Sequence, residues 1–131
     1  MKKVIYENEK VDIIYNPDFN NISIIWKKLH DEDTYKFVYE TAYKAMIEYK
    51  ATSLFSDIRN QGVVSPANSK WLQEELIPKA VKDGLKKVAV LMDADVFKKF
   101  YMNNISKALK KEGSFTKYFD SEEEAIKWLM E

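Results

Sequence analysis

Ser53-Leu54-Phe55-Ser56-Asp57-Ile58-Arg59-Asn60-Gln61-Gly62-Val63-Val64-Ser65-Pro66 reads as a short apolar strand closing on an acid, then a polar loop, then a helix opening on Ser-Pro. Ser65 supplies the side-chain oxygen an N-cap needs, and Pro66 suits the first helical position, where its missing N–H removes no bond. The carboxyl end of a parallel strand followed by a helix amino end is where α/β domains gather exposed backbone N–H groups. A ligand or partner is therefore expected beside this loop.

Upstream, residues 3–6 and 11–15 are β-rich runs separated by Glu7-Asn8-Glu9-Lys10, and residues 22–26 form a third run after the turn Asn16-Pro17-Asp18-Phe19-Asn20-Asn21. These predict an antiparallel meander. From Asp33 the period lengthens, with Tyr35, Val38, Ala42, Ala45, Met46 and Tyr49 on one helical face. Asp31, Glu32 and Asp33 suit the positive end of that helix and Lys50 its negative end.

Downstream of Ser65 the buried stripe is Trp71, Leu72, Leu76, Ile77, Ala80 and Val81, with Gly84 as a left-handed stop. Pro78 removes one bond of this helix and crowds the Glu74 carbonyl, which predicts a kink near residues 74–78. Residues 87–92 are almost continuously apolar, as in a central parallel strand. Asp93-Ala94-Asp95 opens a helix with the stripe Val96, Phe97, Phe100, Tyr101, Ile105, Ala108 and Leu109, ending at Gly113. Residues 115–119 make the last strand. Ser121-Glu122-Glu123-Glu124 is a capping box, and the final helix buries Ala125, Trp128 and Leu129.

The order predicts an α/β fold: a mixed sheet with an antiparallel N-terminal meander, then right-handed parallel βα units. The 131 residues fit one domain spanning 1–131. Lysine plus arginine equals aspartate plus glutamate at 21 each, so no net field draws in nucleic acid. Without cysteine there are no disulfides or thiolate sites, and with no apolar run of membrane-spanning length the expectation is a soluble, cytoplasmic protein.

The strand, helix, strand, Ser-Pro helix, strand, helix, strand and terminal helix after a meander resemble the SpoIIAA-like branch of the STAS superfamily, which contains the anti-sigma-factor antagonists. The resemblance spans essentially the whole chain. Its carriers are residues 53–57, residues 71–79 with their internal proline, residues 85–92, and the ending Lys117-Tyr118-Phe119-Asp120-Ser121-Glu122-Glu123-Glu124-Ala125-Ile126-Lys127-Trp128-Leu129. It implies a non-catalytic regulatory or protein-interaction module. The antagonists carry a phosphorylatable serine in an Asp-Ser-Ser-Gly pattern. Here Asp57 matches the acid, while Ile58-Arg59-Asn60 replaces the rest, and Ser65 lies farther along. A partner would meet Asp57, Asn60, Gln61, Gly62 and Ser65.

The same fold is shared with lipid-binding CRAL-TRIO domains, which implies an alternative: an apolar ligand between the kinked helix and the sheet. Its expected lining is Trp26, Phe55, Trp71, Leu72 and Phe97, with Arg59 and the N–H groups near Ser65 available to an acidic headgroup. Solid packing of the same side chains is the competing reading.

Four other constellations bear on chemistry. Asp57, Asp93 and Asp95, at carboxyl ends of neighbouring strands, would suit a hard cation if they converged, but capping and a local pair with Arg59 are the preferred account of them. His30, the single histidine, has no partner serine motif, and Gly62, Gly84 and Gly113 are too scattered for a phosphate loop. No cofactor is expected. Lys79, Lys82, Lys86, Lys87, Lys98, Lys99, Lys107, Lys110 and Lys111 outnumber Asp83, Asp93 and Asp95, which reads first as the solvated lysine face of a docked helix and alternatively as a basic surface for an anionic headgroup or partner. A homodimer is expected if every helix covers one sheet face and leaves the other bare.

Overall fold

The computed structural model describes residues 2–28, 31–93 and 96–131, without the side chains of Glu32, Val96, Phe97, Lys98 and Phe100. Six strands lie side by side in chain order: β1 (Lys3–Glu7), β2 (Val11–Asn16), β3 (Asn21–Trp26), β4 (Ser53–Asp57), β5 (Lys87–Leu91) and β6 (Phe115–Phe119). The first two pairings are antiparallel and the last three parallel. The helices are α1 (Glu32–Tyr49), α2 (Pro66–Trp71), α3 (Ile77–Lys82), α4 (Val96–Lys111) and α5 (Glu122–Met130), with a π-helical turn at Leu72–Leu76 joining α2 to α3. No helix among the described residues is long and apolar enough to cross a membrane.

Strand order equal to chain order decides where the helices go. From β3 to β6 each strand is added on the same side of its predecessor, so successive right-handed crossovers land on the same face of the sheet. One core accordingly joins α1, the α2–α3 helix and α4 to Ile22, Ile24, Val88 and Val90. After β6 the chain returns across the opposite face, where Ala125 and Leu129 of α5 close on Phe55, Ala89 and Leu91. The condition that motivated a homodimer, all helices on one face, is therefore not met. The part of that second face without a helix lies over the meander, where Val4 is exposed and Ile14 and Ile25 are half-buried.

Most helix ends follow from single residues. Asp31 accepts from the Thr34 N–H, Ser65 from that of Asn68 and Ser121 from that of Glu124. Lys50 ends α1 in a left-handed conformation, φ 54°, so it acts as a C-cap as well as a countercharge. Gly84 at φ 117° ends α3, and the Leu85 N–H reaches back to the Ala80 carbonyl at 3.0 Å. Two large core residues extend the expected stripes: Tyr39 of α1 and Met102 of α4 are both buried.

The anticipated kink is a π-turn. Pro78 has no N–H for the Glu74 carbonyl, and its ring crowds that oxygen. The chain absorbs this by widening one turn earlier, the Ile77 N–H bonding the Leu72 carbonyl five residues back. Leu72, Leu76 and Ile77 consequently all face the sheet.

Because Leu129 is 5% exposed in the second core, Leu129→Ala should cost about 2–5 kcal/mol of stability. Thermal melts followed by tryptophan fluorescence and by far-ultraviolet circular dichroism should shift together. Loss of α5 in a separate, earlier transition would show that the second face is not part of one cooperative unit.

Candidate functional site

Side chains alternate along a strand, so β4 presents Leu54 and Ser56 to the large helix layer and Phe55 and Asp57 to the α5 side. Ile22 and Ile24 of β3 and Val88 and Val90 of β5 share the face of Ser56. Above them the helices do not close completely. A cavity of about 80 Å³ remains, bounded by Ile22, Ile24, Val88 and Val90 below, Tyr39, Ala42 and Met46 of α1 on one side, and Tyr101, Met102 and Ile105 of α4 on the other. Leu72, Leu76, Ile77 and Ala80 supply the wall formed by the π-turn and α3. No carboxylate, lysine, arginine or histidine is among its lining residues.

The hydroxyl-bearing residues of this lining are Tyr39, Tyr43, Tyr101, Ser53 and Ser56. Tyr35, fully buried, joins its hydroxyl to that of Tyr101 in a short hydrogen bond. Gln61 Nε2 donates to the Tyr39 hydroxyl at 3.3 Å. The Ser56 hydroxyl stands within electrostatic reach of Tyr39, yet it and Gln61 Oε1 have no hydrogen bond of good geometry among the described residues. Ring contacts brace the group: Tyr35 and Tyr39 centroids are 4.8 Å apart, Trp26 stacks on Tyr35 at 6.4 Å, and Trp71 meets Tyr35 edge-on at 6.4 Å.

Burial pushes the Tyr35 and Tyr101 phenols well above their ordinary range; Tyr39 adds to both, and the bond between the two adds to Tyr101 while opposing the shift of Tyr35. Burial also raises Tyr39, against the hydrogen bond from Gln61 and the nearby polar groups of Ser56, Trp26 and Tyr101, which favour its ionised form. The cluster is thus uncharged at neutral pH, an array of hydroxyl donors at the border of an apolar space.

Of the residues expected to line the ligand site, Leu72 does so. Trp26 and Trp71 stand behind the tyrosines, and Lys36 Nζ lies 5.8 Å from the Trp71 ring centre. Phe55 does not face this space: strand alternation turns it into the α5 core. The Phe97 side chain lies outside the described residues. Arg59 is held away by Asp57, with Nε donating to Oδ1 at 3.0 Å and Nη2 to Oδ2 at 2.7 Å, while the Arg59 backbone N–H also reaches Oδ1 at 3.2 Å. Asp57 shares the parity of Phe55, and Glu122 and Asp93 add negative potential around the same guanidinium. Ser65 spends its hydroxyl on the cap of α2.

Among the residues expected to meet a partner, Asp57 and Gln61 are buried, Ser65 is half-buried, and Gly62 turns the loop at φ 84°. The exposed part of the loop is Arg59, Asn60 and Val63, the valine 83% exposed. Asp95 and His30 lie outside the described residues, and among those described no cluster of acids or histidine is arranged to hold a metal ion. The phenol cluster was the feature not anticipated. Its signal is two tyrosines four apart on a buried stripe, Tyr35 and Tyr39, and a third, Tyr101, on the half-buried inner stripe of α4, since a phenol taken out of water needs a hydrogen-bond partner.

The fold is that of an uncharacterized protein of the DUF3478 family with a SpoIIAA-like fold from Shewanella loihica PV-4. The match covers 98% of this chain and 93% of that one, with 18% sequence identity and a TM-score of 0.50. No protein-family model matches the chain, and no curated protein does. At this identity the likeness establishes a SpoIIAA-like α/β fold and is silent about activity.

The phenols give the site a pH signature. Their folded-state pKa values are raised, so above the ordinary tyrosine value of about 10 the unfolded chain releases protons that the native state keeps, and stability falls as pH rises. Below that value their contribution is constant. Melting temperatures measured from neutral to strongly alkaline pH should drop beyond about pH 10, less steeply for Tyr35→Phe. An unchanged slope in that variant would mean Tyr35 ionises as readily in the folded protein as in the unfolded one.

Proposed function

We propose that this domain is a non-catalytic binding module that takes a small, uncharged, mainly apolar molecule into the cavity between the sheet and the π-turned helix. The observation that carries this reading is the lining: hydrocarbon walls, the hydroxyl-bearing residues Tyr39, Tyr43, Tyr101, Ser53 and Ser56, and no carboxylate, lysine, arginine or histidine to manage a charged headgroup. Burying an unpaired charge there would cost several kcal/mol, which favours an alcohol, carbonyl or ether over a carboxylate or ammonium.

Size narrows the ligand further. At about 80 Å³ the space is about half that of an engineered 150 Å³ cavity that admits benzene. It suits the end of an alkyl chain or a molecule of a few carbons, and a larger guest requires the helix layer to move. Leaving such a void costs about 2 kcal/mol at roughly 24 cal/mol per Å³. Relative to the antagonist pattern, Ile58-Arg59-Asn60 follows Asp57, and Arg59 occupies both carboxylate oxygens, which favours the loop as fixed structure and the cavity as the responsive element.

The test is titration of butanol, butyrate and butylammonium, followed by NMR of the methyl groups around the cavity. Butanol should shift the resonances of Leu72, Ile77 and Ile105, with the two ions at least tenfold weaker, and Ala80→Leu should abolish the response while raising the melting temperature. If Ala80→Leu stabilises the protein but no compound perturbs the wild type, the space is a packing defect and the reading fails.

A second reading, a protein partner over residues 60–65, is favoured by one observation: Val63 stands 83% exposed on the loop that joins β4 to α2. Val63→Asp would break such a complex and leave butanol binding intact.

A further inference from the structure

In a sheet of parallel strands joined by helices, strand starts and helix ends share one edge. At the corner of that edge formed by α4, β5, β6 and α5, hydrogen bonds tie the parts together: Ser114 N–H to the Leu109 carbonyl at 2.9 Å, Phe115 N–H to the Lys86 carbonyl at 2.9 Å, and the Ser114 hydroxyl to that same carbonyl at 3.0 Å. Phe115 pairs in register with Lys87, whose Nζ donates to the carbonyls of Trp128 and Glu131 at 3.1 Å each. Lys86, Lys87, Lys110, Lys111, Lys117 and Lys127 therefore gather here, against the acids Glu112 and Glu131. Lys87 and Lys117 lie over the Trp128 ring, while Lys86, Lys110, Lys111 and Lys127 are exposed and form no salt bridge among the described residues. In their midst Phe115 is 69% and Met130 59% exposed.

We infer that this corner is a docking surface for an anionic lipid bilayer, with Phe115 and Met130 entering the headgroup layer and the lysines resting on its phosphates. The chemistry favours this occupant over an acidic protein. Every cation is a lysine, a compact hydrated charge suited to a diffuse array of phosphates, and none is an arginine fork suited to bidentate recognition of a carboxylate. An exposed phenyl ring and thioether amid charge gain from an adjoining apolar phase, which the interfacial layer of a bilayer provides. The protein as a whole has no net charge, so attraction is local to this corner and falls off within a Debye length. The inference stands apart from the cavity and does not depend on it.

The test is co-sedimentation of the intact protein with vesicles of phosphatidylcholine alone or mixed with phosphatidylglycerol. Binding is expected only to the mixed vesicles and should vanish at high salt. The doubly charge-reversed variant Lys110→Glu, Lys111→Glu should bind at least tenfold more weakly, from about 1 kcal/mol per lysine near such a surface. Phe115→Ser should weaken binding severalfold with its circular dichroism unchanged, and Phe115→Trp should show blue-shifted emission on mixed vesicles. Failure of the folded wild type to bind anionic vesicles, or equal binding to neutral ones, overturns the inference. So does binding to polyglutamate that matches vesicle binding and ignores Phe115→Ser, which would reassign the corner to an acidic protein.

Discussion

Side-chain parity in the central strands governs everything else in this domain. Leu54 and Ser56 point one way from β4, Phe55 and Asp57 the other, and the same division runs through Val88 and Val90 against Ala89 and Leu91 in β5. A one-residue slip would exchange the two sets. It would put Ser56 into the α5 core and Phe55 and the Asp57–Arg59 pair under the three crossover helices, filling the cavity with an aromatic ring and a buried ion pair. The separation of an apolar, hydroxyl-edged space from a charged rim thus follows from the register of two five-residue strands.

The helix layer cannot fit that sheet perfectly, because Pro78 forbids a regular helix where α2–α3 crosses it. The π-turn resolves the backbone problem at the expense of packing. Its wide spacing turns Leu72, Leu76 and Ile77 inward together, and the gap they border lies between them and α4. The tyrosines belong to the same compromise. Aromatic rings fill the volume between α1, α4 and β3, and their hydroxyls are satisfied within the protein, Tyr35 and Tyr101 by each other and Tyr39 by the Gln61 amide. Apolar walls and uncharged donors are what a neutral amphiphile needs from a protein interior.

Much of this architecture is legible residue by residue. Ser65-Pro66 announces a helix start, Gly84 a stop, residues 87–91 a doubly covered strand, and Ser121 the cap of the last helix, each through local chemistry that tertiary structure does not override. The site is less legible because it depends on which way residues point. Phe55 and Leu72 look equally suited to a ligand, and only the register separates them. Arg59 reads both as a cation for a headgroup and as a local partner of Asp57, and the fold takes the second course. Pro78 foretells a disturbed helix, but the choice between a bend and a wider turn is made by the sheet against which Leu72 and Ile77 must pack. Tyr35, Tyr39 and Tyr101 are 66 positions apart at the extremes, and their meeting is a consequence of the crossover geometry.

The account turns on whether the space under the π-turn accepts a guest. Crystals of the protein pressurised with xenon test this most directly, since xenon is apolar, small enough for the observed volume and visible by its own scattering. The account predicts one ordered xenon bordered by Leu72, Ile77 and Ile105, lost in Ala80→Leu. Xenon confined to the protein surface, with the interior unoccupied and unmoved, would contradict it.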